Sequence, residues 1–170
     1  SLLLIDLDHF KDVNDTLGHD AGDQLLAEVG ARLRRTVRAS DVVARFGGDE
    51  FAMLVREPPA AGYAETVAER IRTVLLEPFV TRGRTFATRA SIGIATFPQD
   101  GANAKDLLKS ADIALYRAKA EGRNRFVTYS PGLRAAVEDR IALVEDVRRA
   151  LRAGEIVPFY QPKVSLASGG

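Results

Sequence analysis

The chain has 170 residues, 46% of them hydrophobic and 28% charged, which is enough for one globular domain and an additional segment. Its net charge of +1 lacks the basic excess of general nucleic-acid binders, so we predict no nucleic-acid partner. It contains no cysteine, which excludes disulfides and thiolate metal sites. No apolar run approaches the roughly 20 residues of a membrane span. We therefore predict a cytoplasmic domain, whose parent protein could be membrane-attached through other segments.

The first predicted element is a buried strand that ends in acids. Apolar residues precede Asp6, and their continuity predicts that both faces of the strand are covered. Asp6 and Asp8 are two residues apart, so their side chains project to the same face. Acids in this position are compatible both with a cap at the end of the strand and with a ligand site.

A polar loop and then an amphipathic helix over residues 21–38 are predicted next. Asp20 is a candidate N-cap, and Asp23 falls at the third helical position, where an acid stabilises the helix dipole. The apolar positions recur at helical spacing and define one face. They are Leu25, Leu26, Val29, Leu33 and Val37.

A β-hairpin is predicted over residues 42–46 and 50–55, with Gly47 and Gly48 as its two turn residues. Such a turn needs positive φ at both positions, which glycine adopts at little cost. Asp49 and Glu50 follow immediately. A hairpin tip of bare backbone and two carboxylates could hold a metal ion on a phosphate, although a solvated turn has the same composition.

A helix over residues 63–76 and a strand over residues 90–97 complete the order β-α-β-β-α-β. This order predicts an α+β fold of the ferredoxin-like split βαβ type, with a central antiparallel sheet and flanking helices. A right-handed crossover makes the first two strands parallel. If the first strand also pairs with the second hairpin strand, Asp6, Asp49 and Glu50 converge, and a divalent-metal phosphate site is expected.

Two further helices follow. The first spans residues 103–121, with Gly122 as its expected C-cap and with Lys119 and Arg123 at its basic end. The second spans residues 131–154 and ends at Gly154; its apolar stripe predicts that it docks on the domain or on another chain. A strand-like segment over residues 156–160 comes after it.

Four spaced motifs resemble those of the GGDEF domains, the diguanylate cyclases. They are DLDHFKDVND at residues 6–15, GHDAGD at 18–23, RFGGDEF at 45–51 and AKAEGRN at 118–124. The resemblance runs from Ser1 to about Tyr129. The family's upstream helix and its Leu-Thr-Gly and Asn-Arg motifs are not in this sequence, so we expect the chain to be a segment of a longer protein.

The resemblance implies that two GTP are condensed to cyclic di-GMP and two pyrophosphates, with Mg²⁺ (or Mn²⁺) and within a homodimer. It also implies product inhibition by cyclic di-GMP. The implied metal ligands are Asp6, the Leu7 carbonyl, Asp49 and Glu50. The implied catalytic residues are Glu50, Lys119 and Arg123. The implied substrate contacts are Asn14 and Asp23 on guanine and Gly47, Gly48, Lys119 and Arg123 on the phosphates. The implied inhibitory site is Arg38, Asp41 and Arg70.

The end of the chain resembles the opening of EAL phosphodiesterase domains, through the sequence YQPK at residues 160–163. We therefore expect a GGDEF domain over residues 1–130, truncated at its N-terminus, a linker helix over 131–154, and the first strand of a truncated EAL domain over 155–170. GGDEF domains joined to EAL domains are in some cases non-catalytic GTP-binding regulators. The intact motif, together with Asn14, Asp23, Lys119 and Arg123, favours an active cyclase over that alternative. A palm-like domain with another substrate is a third interpretation, which would share the metal acids but would have no reason for Asn14 and Asp23 at the base.

Overall fold

The computed structural model describes residues 1–56, 62–81 and 84–161, and the chain divides into two compact units, Ser1–Ala135 and Ala136–Gly170. Seven strands and four helices lie within the described part of the first unit. The strands are β1 (Leu2–Asp8), β2 (Val42–Gly47), β3 (Glu50–Leu54), β4 (Phe79–Thr81), β5 (Arg84–Phe86), β6 (Arg89–Ala95) and β7 (Phe126–Thr128). The helices are α1 (Phe10–Leu17), α2 (His19–Thr36), α3 (Tyr63–Leu76) and α4 (Ala104–Ala120); a further helix, α5, spans Pro131–Arg152.

The main sheet has the strand order β2-β3-β1-β6-β7. β1 lies in its centre and pairs antiparallel with both β3 and β6, whereas β7 runs parallel to β6. β2 is antiparallel to β3, so β1 and β2 run in the same direction. The predicted α+β fold, including the pairing of the first strand with the second hairpin strand, is confirmed.

Both faces of β1 are covered, as its continuous apolar run predicts. Leu3, Ile5 and Leu7 belong to a cluster that also contains the buried residues of α2 and α3. Leu2 and Leu4 point to the other face, in a cluster with Leu107, Ala111 and Leu115 of α4. Because side chains alternate along a strand, Asp6 and Asp8 continue the α4 face.

The segment predicted as a polar loop after β1 is instead the helix α1. Phe10, Val13 and Leu17 recur at helical spacing, and Phe10 packs into the core. The five polar residues between them obscure this apolar pattern in the sequence. α2 then begins at His19 with Gly18 as its N-cap, at φ +84°. The predictions of Asp20 as N-cap and of Asp23 at the third helical position were therefore wrong, because the chain turns at the glycine two residues earlier.

The hairpin turn is shifted by one residue from its predicted position. Gly47 pairs with Glu50, so the two turn residues are Gly48 and Asp49, and Gly48 has a φ of +45°. A bulge between Arg45 and Gly47 causes the shift, and the Arg45 Nε donates a hydrogen bond to the Gly48 carbonyl oxygen at 2.9 Å. The acid Asp49 is consequently at the tip itself.

Three short strands were not predicted. β4 pairs antiparallel with β5 in a separate two-stranded sheet, and β7 adds an edge to the main sheet. Each has only three residues, too few for a periodic pattern to emerge. The C-cap of α4 is Glu121 rather than Gly122, which follows at φ +111°.

The predicted linker helix corresponds to α5. Residues 155–161 form neither helix nor strand, and the rest of the segment expected to open an EAL domain lies outside the described residues. The three-part domain organisation and the docking of α5 stay predictions. Within the described ranges, no helix combines the length and apolar character needed to cross a membrane.

Candidate active site

Acids from two adjacent strands meet at one end of the sheet. Asp6 is directly opposite Glu50 in the register of β1 and β3, on the face that α4 covers. The Leu7 backbone N–H donates to the Asp49 carbonyl oxygen at 3.3 Å, which fixes the hairpin tip against the end of β1. The topology thus brings Asp6, Asp49 and Glu50 to one end of the sheet.

Asp6 makes an ion pair with a lysine from the last turn of α4. The Lys119 Nζ lies 2.6 Å from Asp6 Oδ2, and the aspartate side chain is only 13% exposed. Burial raises the pKa of Asp6, the Lys119 hydrogen bond and charge oppose that rise, and the charges of Asp49 and Asp8 add to it. Burial therefore outweighs the stabilising effect of Lys119 on the ionised carboxylate.

The donors at this site suit a hard divalent cation. Carboxylate and carbonyl oxygens are the ligands that Mg²⁺ prefers, and Asp6, Asp49, Glu50 and the Leu7 carbonyl are all of that kind. In the part of the chain that the structure describes, no three Asp, Glu, His or Cys side chains are grouped around a common point. Asp6 is directed at Lys119 instead. The donor chemistry fits such a metal, and the Lys119 ammonium lies on the Asp6 carboxylate.

Asp8 holds the loop that carries Arg123, a role the sequence did not reveal. Its buried carboxylate accepts hydrogen bonds from Ser91 Oγ at 2.7 Å and from the Asn124 backbone N–H at 2.9 Å. Arg123 and Asn124 have φ values of +61° and +48°, unfavourable for side-chain-bearing residues, so the loop needs such an anchor. The only signal in the sequence was the two-residue spacing of Asp8 from Asp6.

The two residues expected to bind guanine lie on neighbouring helices. Asn14 is on α1 and Asp23 on α2. The Asn14 amide packs so closely on Gly22 that a Cβ there would collide with its oxygen, and this contact brings Asn14 beside the turn of α2 that carries Asp23. Asp23 lines a groove of about 610 Å³ between α2 and β2. The groove is also lined by Gly30, Arg34 and Arg45.

The residues of the expected inhibitory site lie at the far end of α2. Asp41 is 2% exposed, and its carboxylate accepts hydrogen bonds from the backbone N–H groups of Arg38 and Arg56, each at 3.1 Å, and from the Tyr63 hydroxyl at 3.2 Å. Burial alone would raise the pKa of Asp41, but these donors outweigh burial and lower it. Arg38 is exposed, whereas Asp41 is an internal acceptor.

Arg70 is close enough to this cluster for its charge to act there. Burial and the charge of Asp41 raise the pKa of Tyr63, while the charges of Arg38 and Arg70 lower it. Arg70 is exposed on α3 and also lines a groove of about 600 Å³. Both arginines are therefore exposed cations near one tyrosine.

A mostly antiparallel sheet with acids at a glycine hairpin tip and a lysine facing them defines a palm-like α+β domain. The family model described as "Diguanylate cyclase, GGDEF domain" matches residues 1–125. The chain belongs to the GGDEF family.

Two similar proteins come from Pseudomonas aeruginosa. Cyclic di-GMP phosphodiesterase NbdA is 41% identical over 169 residues, which cover 99% of this chain and 22% of NbdA. Bifunctional diguanylate cyclase/cyclic di-GMP phosphodiesterase MucR is 42% identical over 171 residues, which cover 99% of this chain and 24% of MucR. The chain thus spans about a quarter or less of the length of these relatives.

A solved structure with the same fold is the GGDEF domain of DgcB from Caulobacter crescentus in complex with c-di-GMP. It superposes with a TM-score of 0.67 and is 36% identical to this chain. The match covers 75% of this chain and 75% of the DgcB chain. The palm-like architecture is therefore that of GGDEF structures.

Proposed function

We propose that this domain is a diguanylate cyclase that condenses two GTP into cyclic di-GMP and two pyrophosphates. The observation that carries the proposal is the position of Asp6 opposite Glu50, with Asp49 at the adjoining hairpin tip and Lys119 on Asp6. Family membership and the intact Gly-Gly-Asp-Glu-Phe motif support it.

Each domain binds one GTP through both ends of the nucleotide. Asn14 and Asp23 hydrogen-bond the guanine edge, because an acid can accept from both the N1 and N2 donors, which adenine lacks. The backbone of Gly47 and Gly48 lies along the phosphates. Lys119 leaves Asp6 for the triphosphate, where it acts with Arg123, whose loop Asp8 anchors.

The reaction joins the 3′-oxygen of one GTP to the α-phosphorus of the other. As that bond forms, the bond from the α-phosphorus to the pyrophosphate oxygen breaks, and the proton of the 3′-hydroxyl passes to Glu50 or to solvent. The family generally uses a divalent metal, and we assign Mg²⁺ (or Mn²⁺) to Asp6, the Leu7 carbonyl, Asp49 and Glu50. When bound, it supplies charge that lowers the pKa of the attacking hydroxyl and screens the phosphates.

The reaction needs two domains, because each holds only one GTP. Two copies facing each other provide both nucleotides, and repeating the attack in the opposite direction closes the ring. We therefore propose that the active form is a homodimer. A domain held in any other arrangement binds GTP without turning it over.

Cyclic di-GMP is also the proposed inhibitor, at Arg38, Asp41 and Arg70. The bound ligand of the DgcB domain supports this choice of ligand class. The exposed guanidinium groups of Arg38 and Arg70 are suited to bidentate contacts with guanine and phosphate. Asp41, which is buried, holds the backbone that carries Arg38.

A non-catalytic GTP-binding regulator of an adjoining EAL phosphodiesterase is the second candidate. Two relatives support this candidate, since NbdA is a cyclic di-GMP phosphodiesterase and MucR is bifunctional. In that case the parent protein carries a cytoplasmic EAL domain after α5.

Incubating the full-length protein with GTP and Mg²⁺, and identifying the products by mass spectrometry, separates the two functions. A cyclase releases one pyrophosphate for each GTP consumed, and the other product is cyclic di-GMP or, where an EAL phosphodiesterase is active, its hydrolysis product. A regulator binds GTP in the same sample and leaves it intact, which would overturn the cyclase proposal.

A further inference from the structure

The guanidinium group of Arg38 lies on an aromatic ring. Its Cζ is 4.1 Å from the centroid of Tyr63, the first residue of α3. Tyr63 is buried, whereas Arg38 is exposed, so one face of the guanidinium rests on the ring and its edge remains accessible. A planar cation in this position is held by attraction to the ring and loses much of its rotational freedom.

The same tyrosine also holds Asp41. Its hydroxyl donates to Asp41 Oδ2 at 3.2 Å, and that oxygen also accepts the Arg38 backbone N–H at 3.1 Å. The ring therefore lies under the arginine side chain while the hydroxyl helps to fix the arginine backbone. One residue orders both members of the Arg-x-x-Asp pair.

The position of Tyr63 on α3 connects it to Arg70. The two residues are seven apart, two helical turns, and so lie on nearly the same side of the helix. The Arg70 charge acts on the Tyr63 phenol. Arg38 lies in the loop after α2 and Arg70 lies on α3, and Tyr63 is near both of them.

We propose that Tyr63 is a positioning residue of the cyclic di-GMP site, which holds the Arg38 guanidinium in the orientation that receives a planar guanine and its phosphate. This inference rests on the proposed inhibitory function of Arg38. An arginine that is already ordered loses less conformational entropy when it binds, so pre-ordering increases affinity. Tyr63 does not itself touch the ligand, and it plays no part in GTP binding.

The test compares two variants of Tyr63. Tyr63→Phe keeps the aromatic ring, whereas Tyr63→Leu keeps an apolar side chain but removes the ring. Calorimetric titration of the chain with cyclic di-GMP, and separately with a non-hydrolysable GTP analogue, measures both sites. We expect Tyr63→Phe to bind cyclic di-GMP within about threefold of wild type and Tyr63→Leu to bind it about tenfold more weakly. The GTP analogue should bind equally to all three proteins.

Equal cyclic di-GMP affinity of Tyr63→Leu and wild type would overturn the role of Tyr63 and leave the inhibitory site standing. A wild-type chain that binds the GTP analogue but no cyclic di-GMP would overturn both, without affecting the cyclase proposal. If Tyr63→Leu fails to fold, the wild-type protein still provides a test. Ring current should shift the Arg38 side-chain resonances upfield in the ligand-free NMR spectrum, and ordinary shifts would contradict the proposal.

Discussion

Asp6 is partly buried and Asp41 is buried, and their surroundings move their pKa values in opposite directions. Burial raises the pKa of Asp6, and neighbouring acids raise it further against the opposing effect of Lys119. Burial acts in the same direction on Asp41, but backbone N–H groups and the Tyr63 hydroxyl reverse it, so that the pKa of Asp41 is lowered. The ionised form of Asp6 is destabilised by its surroundings, whereas the ionised form of Asp41 is stabilised by the hydrogen bonds that it accepts.

The two carboxylates therefore differ in how easily their partners can move away. The counter-charge of Asp6 is carried on a long lysine side chain, which can leave without disturbing the backbone. Two of the three partners of Asp41 are backbone N–H groups, which cannot move away without disturbing the fold, and the third is the Tyr63 hydroxyl. Substitutions at the acidic end should therefore affect turnover, and substitution of Asp41 should affect stability.

The largest effect is expected at the hairpin tip. Asp49→Ala or Glu50→Gln should lower cyclase turnover by at least about a hundredfold, since each removes a proposed ligand of the divalent metal that would neutralise charge on the reacting phosphate. The melting temperature should stay close to that of wild type, because tip residues add little to the core. Glu145→Gln, at an exposed acid of α5, is the control. Wild-type turnover by Asp49→Ala would contradict the assignment of these acids.

A smaller effect is expected on base selectivity. Asp23→Ala should reduce the preference for GTP over ATP by about tenfold, as expected for the loss of a polar partner in a binding site. Nucleotide titrations of variant and wild type measure it. Asp20→Ala is the matched control, since Asp20 is an acid in the first turn of the same helix. If both variants lower the melting temperature and neither changes selectivity, Asp23 only stabilises the helix.

The smallest effect is expected on stability, at Asp41. Because the pKa of Asp41 is lowered in the folded state, its contribution is complete above the unfolded pKa of about 3.9 and is lost as the pH falls through the folded pKa. Asp41→Asn should lower the free energy of unfolding by about 1–2 kcal/mol at pH 7. Urea denaturation at pH 7 and pH 3 should show this difference shrinking at the lower pH. A difference independent of pH would mean that the charge of Asp41 does not contribute.

The sequence predicted the elements whose patterns are long or distinctive. Continuous apolar residues placed β1 in the centre of the sheet, and the crossover rule brought Asp6 and Glu50 together. The turn was misplaced by one residue because a bulge between Arg45 and Gly47 adds a residue to β2, and no periodic pattern in the sequence marks a bulge. The anchoring of Asn124 by Asp8 joins residues 116 apart, and such contacts exist only once the fold has formed.

The central proposal is that the acidic end and the Arg38 end bind different ligands independently, because Arg38 lies just beyond the C-terminal end of α2 whereas Asp23 lies near its N-terminal end. It is tested most directly by titrating the protein with a non-hydrolysable GTP analogue in the absence and in the presence of saturating cyclic di-GMP. The account predicts that both ligands bind at once and that the dissociation constant of the analogue is unchanged within about twofold. Competitive displacement of one ligand by the other would contradict it, because the two would then share a single site.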